Sequence, residues 1–493
     1  MPDITTLGSH IRDDTVDESA AHDAIPGHPL GVKPSGNALL AAVNLRNAIG
    51  TFNLWPDELI LMLLEFLDYR SLLQLGQTCK AFYAFTRAED LWKTLFISAP
   101  PATLAWRGTW RATYLNLPPS KVASLDCSNL FSDALHRPFY CAHISLDPYA
   151  SNIPARNRII RLPNLTHEEF QEKWSDTPFI LTEPVKEWPV YHQWSTETLL
   201  PKHGETPFRA EAVDWPLKTY VDYMKNNSDE SPLYLFDKEF VSKMGLKTGP
   251  LDQEPGTAYW PPPCFGEDFF SVLGNDRPDR HWLIIGPERS GSTFHKDPNA
   301  TSAWNAVVRG SKYWIMFPSS AKLPPPPGVY VSEDQSEVTS PLSIAEWLLG
   351  FHGEARRTQG CIEGICHEGE ILHVPSGWWH LVVNLEPAIA ITQNFIPRAH
   401  LTAALDFLSN KADQVSGFRR DVNNPYERFV AKMQESHPGF LQNALDELKQ
   451  KSEGKKRKWD EIVHGKTTDG AGTESEAGGF SFGFGDDSDA EVP

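Results

Sequence analysis

His295 and Asp297 stand two residues apart, and in an extended strand two such side chains leave the same face. A third candidate ligand, His380, follows Asp297 by 83 residues, directly behind the turn Pro375-Ser376-Gly377 and the pair Trp378-Trp379. Two histidines and one carboxylate on one face of an octahedron leave three positions free, which suits non-haem Fe(II) with room for a co-substrate and O₂. A lone His-x-Asp means little in a chain with 17 histidines, so the weight falls on its surroundings. Lys312 lies 17 residues after His295; inside a barrel beside a metal it needs an anionic partner, whereas at the start of a strand after Arg309-Gly310-Ser311 it is a surface residue. Two competitors are set aside. His373 lies in a different strand from His380 and reads as structural, and Cys361, Cys366 and His367 lack a fourth ligand at zinc spacing and read as a loop. Trp378 and Trp379 are expected beside the site, excluding water.

These residues need a rigid β scaffold. After Arg158 short β-rich runs recur at Phe179–Leu181, Leu233–Phe236, Trp282–Ile285, Ser302–Val308, Tyr313–Phe317, Glu370–Val374 and Ala388–Phe395. With Gly- and Pro-rich turns between them, they predict an antiparallel sandwich or barrel decorated by helices such as Thr166–Trp174 and Leu217–Met224. Upstream, from Leu54 to Phe96, the apolar period is helical, with Leu59, Leu63, Phe66 and Leu67 forming a stripe, Pro56 in the first turn and Asp68 placed to cap a second helix. Residues Leu401–Leu448 return to helical spacing, as a pack against the barrel or an oligomer contact.

The chain has 493 residues, more than one core usually serves, so at least two folded units are expected. Hydrophobic residues make up 40% and charged ones 22%, which excludes wholesale disorder. The net charge of −19, from 45 basic and 64 acidic residues, argues against a general nucleic-acid surface. Much of it sits at the ends, however: the seven acids of 469–493 face no Lys or Arg. That concentration leaves room for basic protein substrates. Six irregularly spaced cysteines make no disulfide framework, the N-terminus lacks a signal-peptide plan, and no stretch approaches the ~18 apolar residues of a membrane span. An intracellular location is expected, with Lys455-Lys456-Arg457-Lys458 as a nuclear-import run and the cytoplasm as a second location.

Two family resemblances then follow. Leu54-Trp55-Pro56-Asp57-Glu58-Leu59, Leu67-Asp68, Leu72-Leu73, Cys79-Lys80 and Leu91-Trp92 resemble, in order and spacing, the F-box. It is a small three-helix unit that presents an apolar face to the Skp-type adaptor of a cullin-RING ubiquitin ligase, and Trp55 stands where the family usually has leucine. From Asn152-Ile153-Pro154 to Pro397, the phrases Ser231-Pro232-Leu233-Tyr234, Gly286-Pro287, Trp304-Asn305-Ala306, Gly377-Trp378-Trp379-His380 and Ile391-Thr392-Gln393-Asn394-Phe395 resemble the small, hydroxylase-like branch of the JmjC oxygenases.

The JmjC resemblance implies a double-stranded β-helix (jelly-roll, cupin-like) in an α+β or all-β core. It also implies Fe(II) as cofactor, 2-oxoglutarate and O₂ as co-substrates, iron on His295, Asp297 and His380, and the distal carboxylate of 2-oxoglutarate on Lys312. Tyr234, Asn305, Thr392 and Asn394 would complete the co-substrate pocket. Ser292 stands where the family often has threonine, with Thr293 beside it, and either hydroxyl can serve. The implied reaction hydroxylates a C–H bond of a protein side chain; on an N-methyl carbon of lysine or arginine the product loses formaldehyde. Histones and RNA-binding proteins are candidate substrates. The expected organisation is 1–50 disordered, 51–97 F-box, 98–158 linker, 159–400 JmjC domain, 401–450 helices and 451–493 a basic then acidic disordered tail. Loops such as Leu323–Arg357 are expected to set specificity. The alternative of another class is a non-catalytic substrate receptor for ubiquitin ligation.

Overall fold

The computed structural model describes residues 25–101, 104–118, 124–249, 255–320, 323–332, 338–340 and 342–464. Helix α1 (Asp57–Glu65) starts behind Pro56 with Asp57 and Glu58 at the positive end of its dipole. Helix α2 (Tyr69–Leu75) is capped by Asp68, whose carboxylate accepts the Ser71 N–H at 2.8 Å. Helices α3 (Lys80–Phe85) and α4 (Glu89–Ser98) complete the unit. Its core is Ile60, Leu64, Leu72, Phe85 and Trp92, each contributing roughly 1.5–3 kcal/mol by leaving water. Most of the stripe read from sequence points the other way: Leu59, Leu63 and Phe66 are exposed, Phe66 at 86%, and with Leu54, Trp55 and Met62 they form an apolar outer face, while Leu67 packs on the core.

Eight strands make the barrel: β1 (His281–Gly286), β2 (Gly291–His295), β3 (Ser302–Arg309), β4 (Ser311–Phe317), β5 (Ile362–His367), β6 (Ile371–Val374), β7 (Trp379–Asn384) and β8 (Ala388–Phe395). They form two antiparallel sheets in the orders β6-β3-β8-β1 and β5-β4-β7-β2. Ala303, Val307, Leu372 and Val374 of the first pack on Trp314, Met316 and Val382 of the second. This is the expected jelly-roll. Strands Ile160–Leu162 and Phe179–Leu181 extend the first sheet beyond β6, and Leu235–Asp237, Pro207–Ala210 and Val213–Pro216 extend it beyond β1. Helix α5 (Ile344–Arg357) is tied to β5 by the buried pair Arg356–Glu363 at 2.8 Å. Helices α6 (Leu401–Asn410), α7 (Pro425–Ser436) and α8 (Pro438–His464) share a separate core with Phe269 and Phe270.

Several expectations need correction. Within 1–50, residues 1–24 lie outside the described ones, but Val32 and Ile49 are buried, Ser35–Leu40 and Leu45–Leu54 are 3-10 helical, and the Lys33 carbonyl accepts the Ser132 N–H. Two anchor residues on short turns leave no apolar period to read. The 98–158 stretch is not a linker either: Trp110, Cys127, Leu130 and Tyr149 are fully buried. Phe96 and Trp110 pack edge-on at 5.4 Å, and Phe96 meets Trp215 of the barrel extension at 5.6 Å, so the helical unit and the barrel share one core. Cys366 and His367 are in strand β5, with Cys361 just before it, rather than in a loop. The last 14 residues of Leu323–Arg357 are helix α5 rather than loop. The run Lys455–Lys458 continues helix α8 instead of a flexible tail, and 465–493 fall outside the described residues.

Candidate metal centre and its cavity

Strands β2 and β7 run antiparallel with His295 opposite His380, their ring centroids 4.1 Å apart. Two glycines permit this. A Cβ on Gly291 would stand 2.0 Å from the Val382 carbonyl oxygen, so only glycine lets β2 approach so closely, and Gly377 takes φ +74 in the turn that delivers His380. Asp297 follows β2 in extended backbone ahead of Pro298. Its carboxylate joins the two imidazoles, with one ligand atom from each within 4.8 Å of the others.

The protonation pattern suits a cation. The Nδ1–H of His295 donates to the Thr293 carbonyl at 2.8 Å and that of His380 to the Trp378 carbonyl at 3.0 Å, because a carbonyl can only accept. Each ring is thereby held with Nε2 as its free lone pair. Burial, then the neighbouring His295, push His380 well below the ordinary histidine value, so it stays neutral and able to ligate. Burial pushes the Asp297 carboxyl up against the pull of His295 and Asn394, and its Oδ2 is buried with no hydrogen-bond partner among the described residues. An orphaned carboxylate oxygen beside two imidazole lone pairs fits a divalent ion, and the N₂O set with open positions fits Fe(II).

In the same sheet, Lys312 of β4 stands opposite Asn384 of β7 and is fully buried. Its Nζ donates to the Tyr234 hydroxyl at 2.6 Å and to Asn384 Oδ1 at 2.7 Å, and among the described residues no carboxylate pairs with it. Burial holds its pKa down to about 7. An anion arriving there would satisfy it. Asn305 lies opposite Thr392 across β3 and β8, its Oδ1 buried and without a hydrogen-bond partner among the described residues. Thr392 donates its hydroxyl proton to the Trp304 carbonyl at 2.9 Å, and Asn394 Nδ2 donates to Thr301 Oγ1 at 2.8 Å.

Ser292 and Thr293 line a cavity of about 410 Å³ that reaches His295. Trp379 packs in the cluster with Phe294, Phe317 and Trp347, Trp378 is half-buried in the inter-sheet core, and His373 is packed among Phe170, Phe179 and Phe265. Sequence reasoning missed Asn384, although it lies four residues past His380 on the same strand face. It also missed Glu211, Glu230 and Arg289, which line the cavity and come from segments with no local signal.

A cupin-like domain model matches residues 166–400, and an F-box-like model matches residues 53–98. The arginine-specific demethylase JMJ22 of Arabidopsis thaliana is 39% identical over 449 residues, which cover 88% of this chain and 86% of that protein. The chain belongs to the cupin-like JmjC family. The chain is also 33% identical over 258 residues to the bifunctional arginine demethylase and lysyl-hydroxylase psr-1 of Caenorhabditis elegans, covering 49% of this chain and 62% of that one. The 2-oxoglutarate and iron-dependent oxygenase JMJD4 of Danio rerio is 26% identical over 273 residues, covering 48% and 58%. This JmjC protein is therefore an Fe(II)- and 2-oxoglutarate-dependent oxygenase that carries an F-box-like domain.

Proposed function

We propose that the chain oxidises a C–H bond on a basic side chain of a protein, arginine or lysine, giving a hydroxylated carbon or, from an N-methyl group, a demethylated nitrogen and formaldehyde. The carrying observation is the trio His295, Asp297 and His380 held with free lone pairs at one end of the barrel, with the unpaired Lys312 on its inner wall. In this reading His295, Asp297 and His380 hold the iron. Lys312, helped by Tyr234 and Asn384, takes the distal carboxylate of 2-oxoglutarate, while Asn305, Thr392, Asn394 and a hydroxyl of Ser292 or Thr293 complete the pocket. The iron, when bound, supplies the oxidising power for O₂-dependent attack on carbon. The protein's own residues fix the ligand rings through the Thr293 and Trp378 carbonyls, anchor the co-substrate by charge and exclude bulk water with Trp378, whereas Trp379, expected beside the site, packs on the outer face of the sheet. The names of JMJ22 and psr-1, which describe those proteins as arginine demethylases and psr-1 also as a lysyl-hydroxylase, support a basic side chain as target.

The apolar outer face of α1 supports docking of a Skp-type adaptor, which would link the oxygenase to a cullin-RING ubiquitin ligase. A nuclear site of action rests on Lys455–Lys458 and is tested by the distribution of a fluorescent fusion with and without those four charges. The activity is tested by succinate formation from 2-oxoglutarate with Fe(II), with mass spectrometry of arginine- and lysine-bearing peptides, methylated and not. The reading expects succinate and a mass change of one oxygen or one methyl group. Wild-type protein that binds no iron and turns over no 2-oxoglutarate, equal to a His295→Ala/Asp297→Ala protein, would refute it and leave a substrate receptor.

A further inference from the structure

The cavity that reaches His295 carries two carboxylates from separate parts of the chain. Glu211 sits on the turn between strands Pro207–Ala210 and Val213–Pro216, in left-handed backbone at φ +49. Glu230 precedes Ser231-Pro232. Among the described residues neither is in an ion pair: Glu211 accepts the Tyr234 N–H at 3.1 Å and Glu230 the Ser343 hydroxyl at 2.5 Å. Burial pushes both carboxyls up, and further acids add to the push, Asp229 on Glu211 and Glu346 with Asp90 on Glu230. Lys93 and Arg137 offset this only in part. Arg289 also lines the cavity; burial disfavours its charge, and Glu288, Tyr223 and Asp229 offset that only in part. Negative charge facing a partly closed space is costly until a cation arrives.

The shape of the site selects the cation. Among the described residues the one group of three or more such side chains compact enough for a metal ion is His295, Asp297 and His380, so Glu211 and Glu230 do not belong to a metal-binding cluster of that kind. Among the described residues no aromatic ring other than His295 lines the cavity, so a trimethylammonium, which has no N–H to donate and is held by cation–π contact, finds no cage among them. A guanidinium, even when methylated, keeps N–H donors and matches carboxylates in a planar fork. A volume of about 410 Å³ falls in the range of small-molecule sites, about 300–1,000 Å³.

We infer that Glu211 and Glu230 receive the guanidinium of a substrate arginine and so select arginine over trimethylated lysine. This rests on the proposed oxidation of basic side chains and deepens it. The test uses full-length protein with Mn(II) and 2-oxoglutarate and three peptides that differ at one residue: dimethylarginine, trimethyllysine and the neutral citrulline. The dimethylarginine peptide binds at least about tenfold more tightly than either other, and Glu211→Gln with Glu230→Gln removes the difference. Equal binding of the three by wild-type protein, no binding of any, or a preference that survives in the double variant each overturns the inference. The wild-type comparison does not depend on the variant folding. Succinate formation by wild-type protein separates the two failures: its absence sinks the proposed activity, whereas turnover without arginine preference sinks this assignment alone.

Discussion

Raising the pH from about 7 to about 9 should weaken 2-oxoglutarate binding, because of Lys312. Burial holds this lysine's pKa near 7 when its hydrogen-bond partners among the described residues are the Tyr234 hydroxyl and the Asn384 amide oxygen. A bound carboxylate favours the ammonium and returns the pKa toward the ordinary value of about 10.4. Above pH 7 the free protein must therefore take up a proton to bind. The apparent Kd then scales as one plus ten to the power of pH minus pKa, rising about 5-fold by pH 8 and about 50-fold by pH 9, or about 2.3 kcal/mol. The same shift has a stability counterpart of definite sign. A lysine whose folded pKa is depressed binds fewer protons when folded, so the co-substrate-free protein gains stability from this group as the pH rises from about 7 toward 10.4 and loses it on the way down. The assay is anaerobic titration of 2-oxoglutarate into Mn(II)-loaded protein across this range, with Lys312→Met as reference. The variant binds weakly and with little slope. A wild-type affinity that stays flat, or a slope that persists in Lys312→Met, would refute the assignment of Lys312 as the anion site.

Other outcomes follow from the same geometry. Anaerobic Fe(II) at about 100 times its Kd should stabilise the wild type against unfolding by about 2.7 kcal/mol and leave Asp297→Asn unmoved; an equal gain in the variant would place the metal elsewhere. Because the Asp297 carboxylate is buried without a partner on Oδ2 among the described residues, metal-free Asp297→Asn should be at least as stable as wild type by urea titration. Leu63→Asp with Phe66→Asp, on the exposed face of α1, should abolish co-purification of a Skp-type adaptor while changing stability by less than about 0.5 kcal/mol. Leu64→Ala, one residue along and buried, should cost about 2–5 kcal/mol. Arg356→Met strands the buried Glu363 carboxylate and should cost about 3–5 kcal/mol in the same measurement; a loss under 1 kcal/mol would show that α5 does not rely on this pair.

Residue chemistry and local period determined a good deal of this molecule. His295, Asp297 and His380 were legible because ligand identity is a property of side-chain type, and a two-residue spacing in extended chain fixes their common face. Phe179–Leu181 and Ala388–Phe395 appear with the bounds read from composition, since buried strands are dense in β-branched and aromatic residues. What the tertiary structure alone decided lies in contacts between distant segments. Lys312 finds Tyr234 78 residues away and Asn384 72 residues away, and no local pattern encodes that meeting. The outward stripe of α1 and the inward Ile60 and Leu64 share one helical period, and only the packing of α1 against α4 and its neighbours says which side is core. The same holds for Trp110, isolated in an aperiodic stretch, which joins the helical unit to the barrel. It holds again for Glu211 and Glu230, unremarkable in sequence, which the fold places around one cavity where burial gives their charge its meaning.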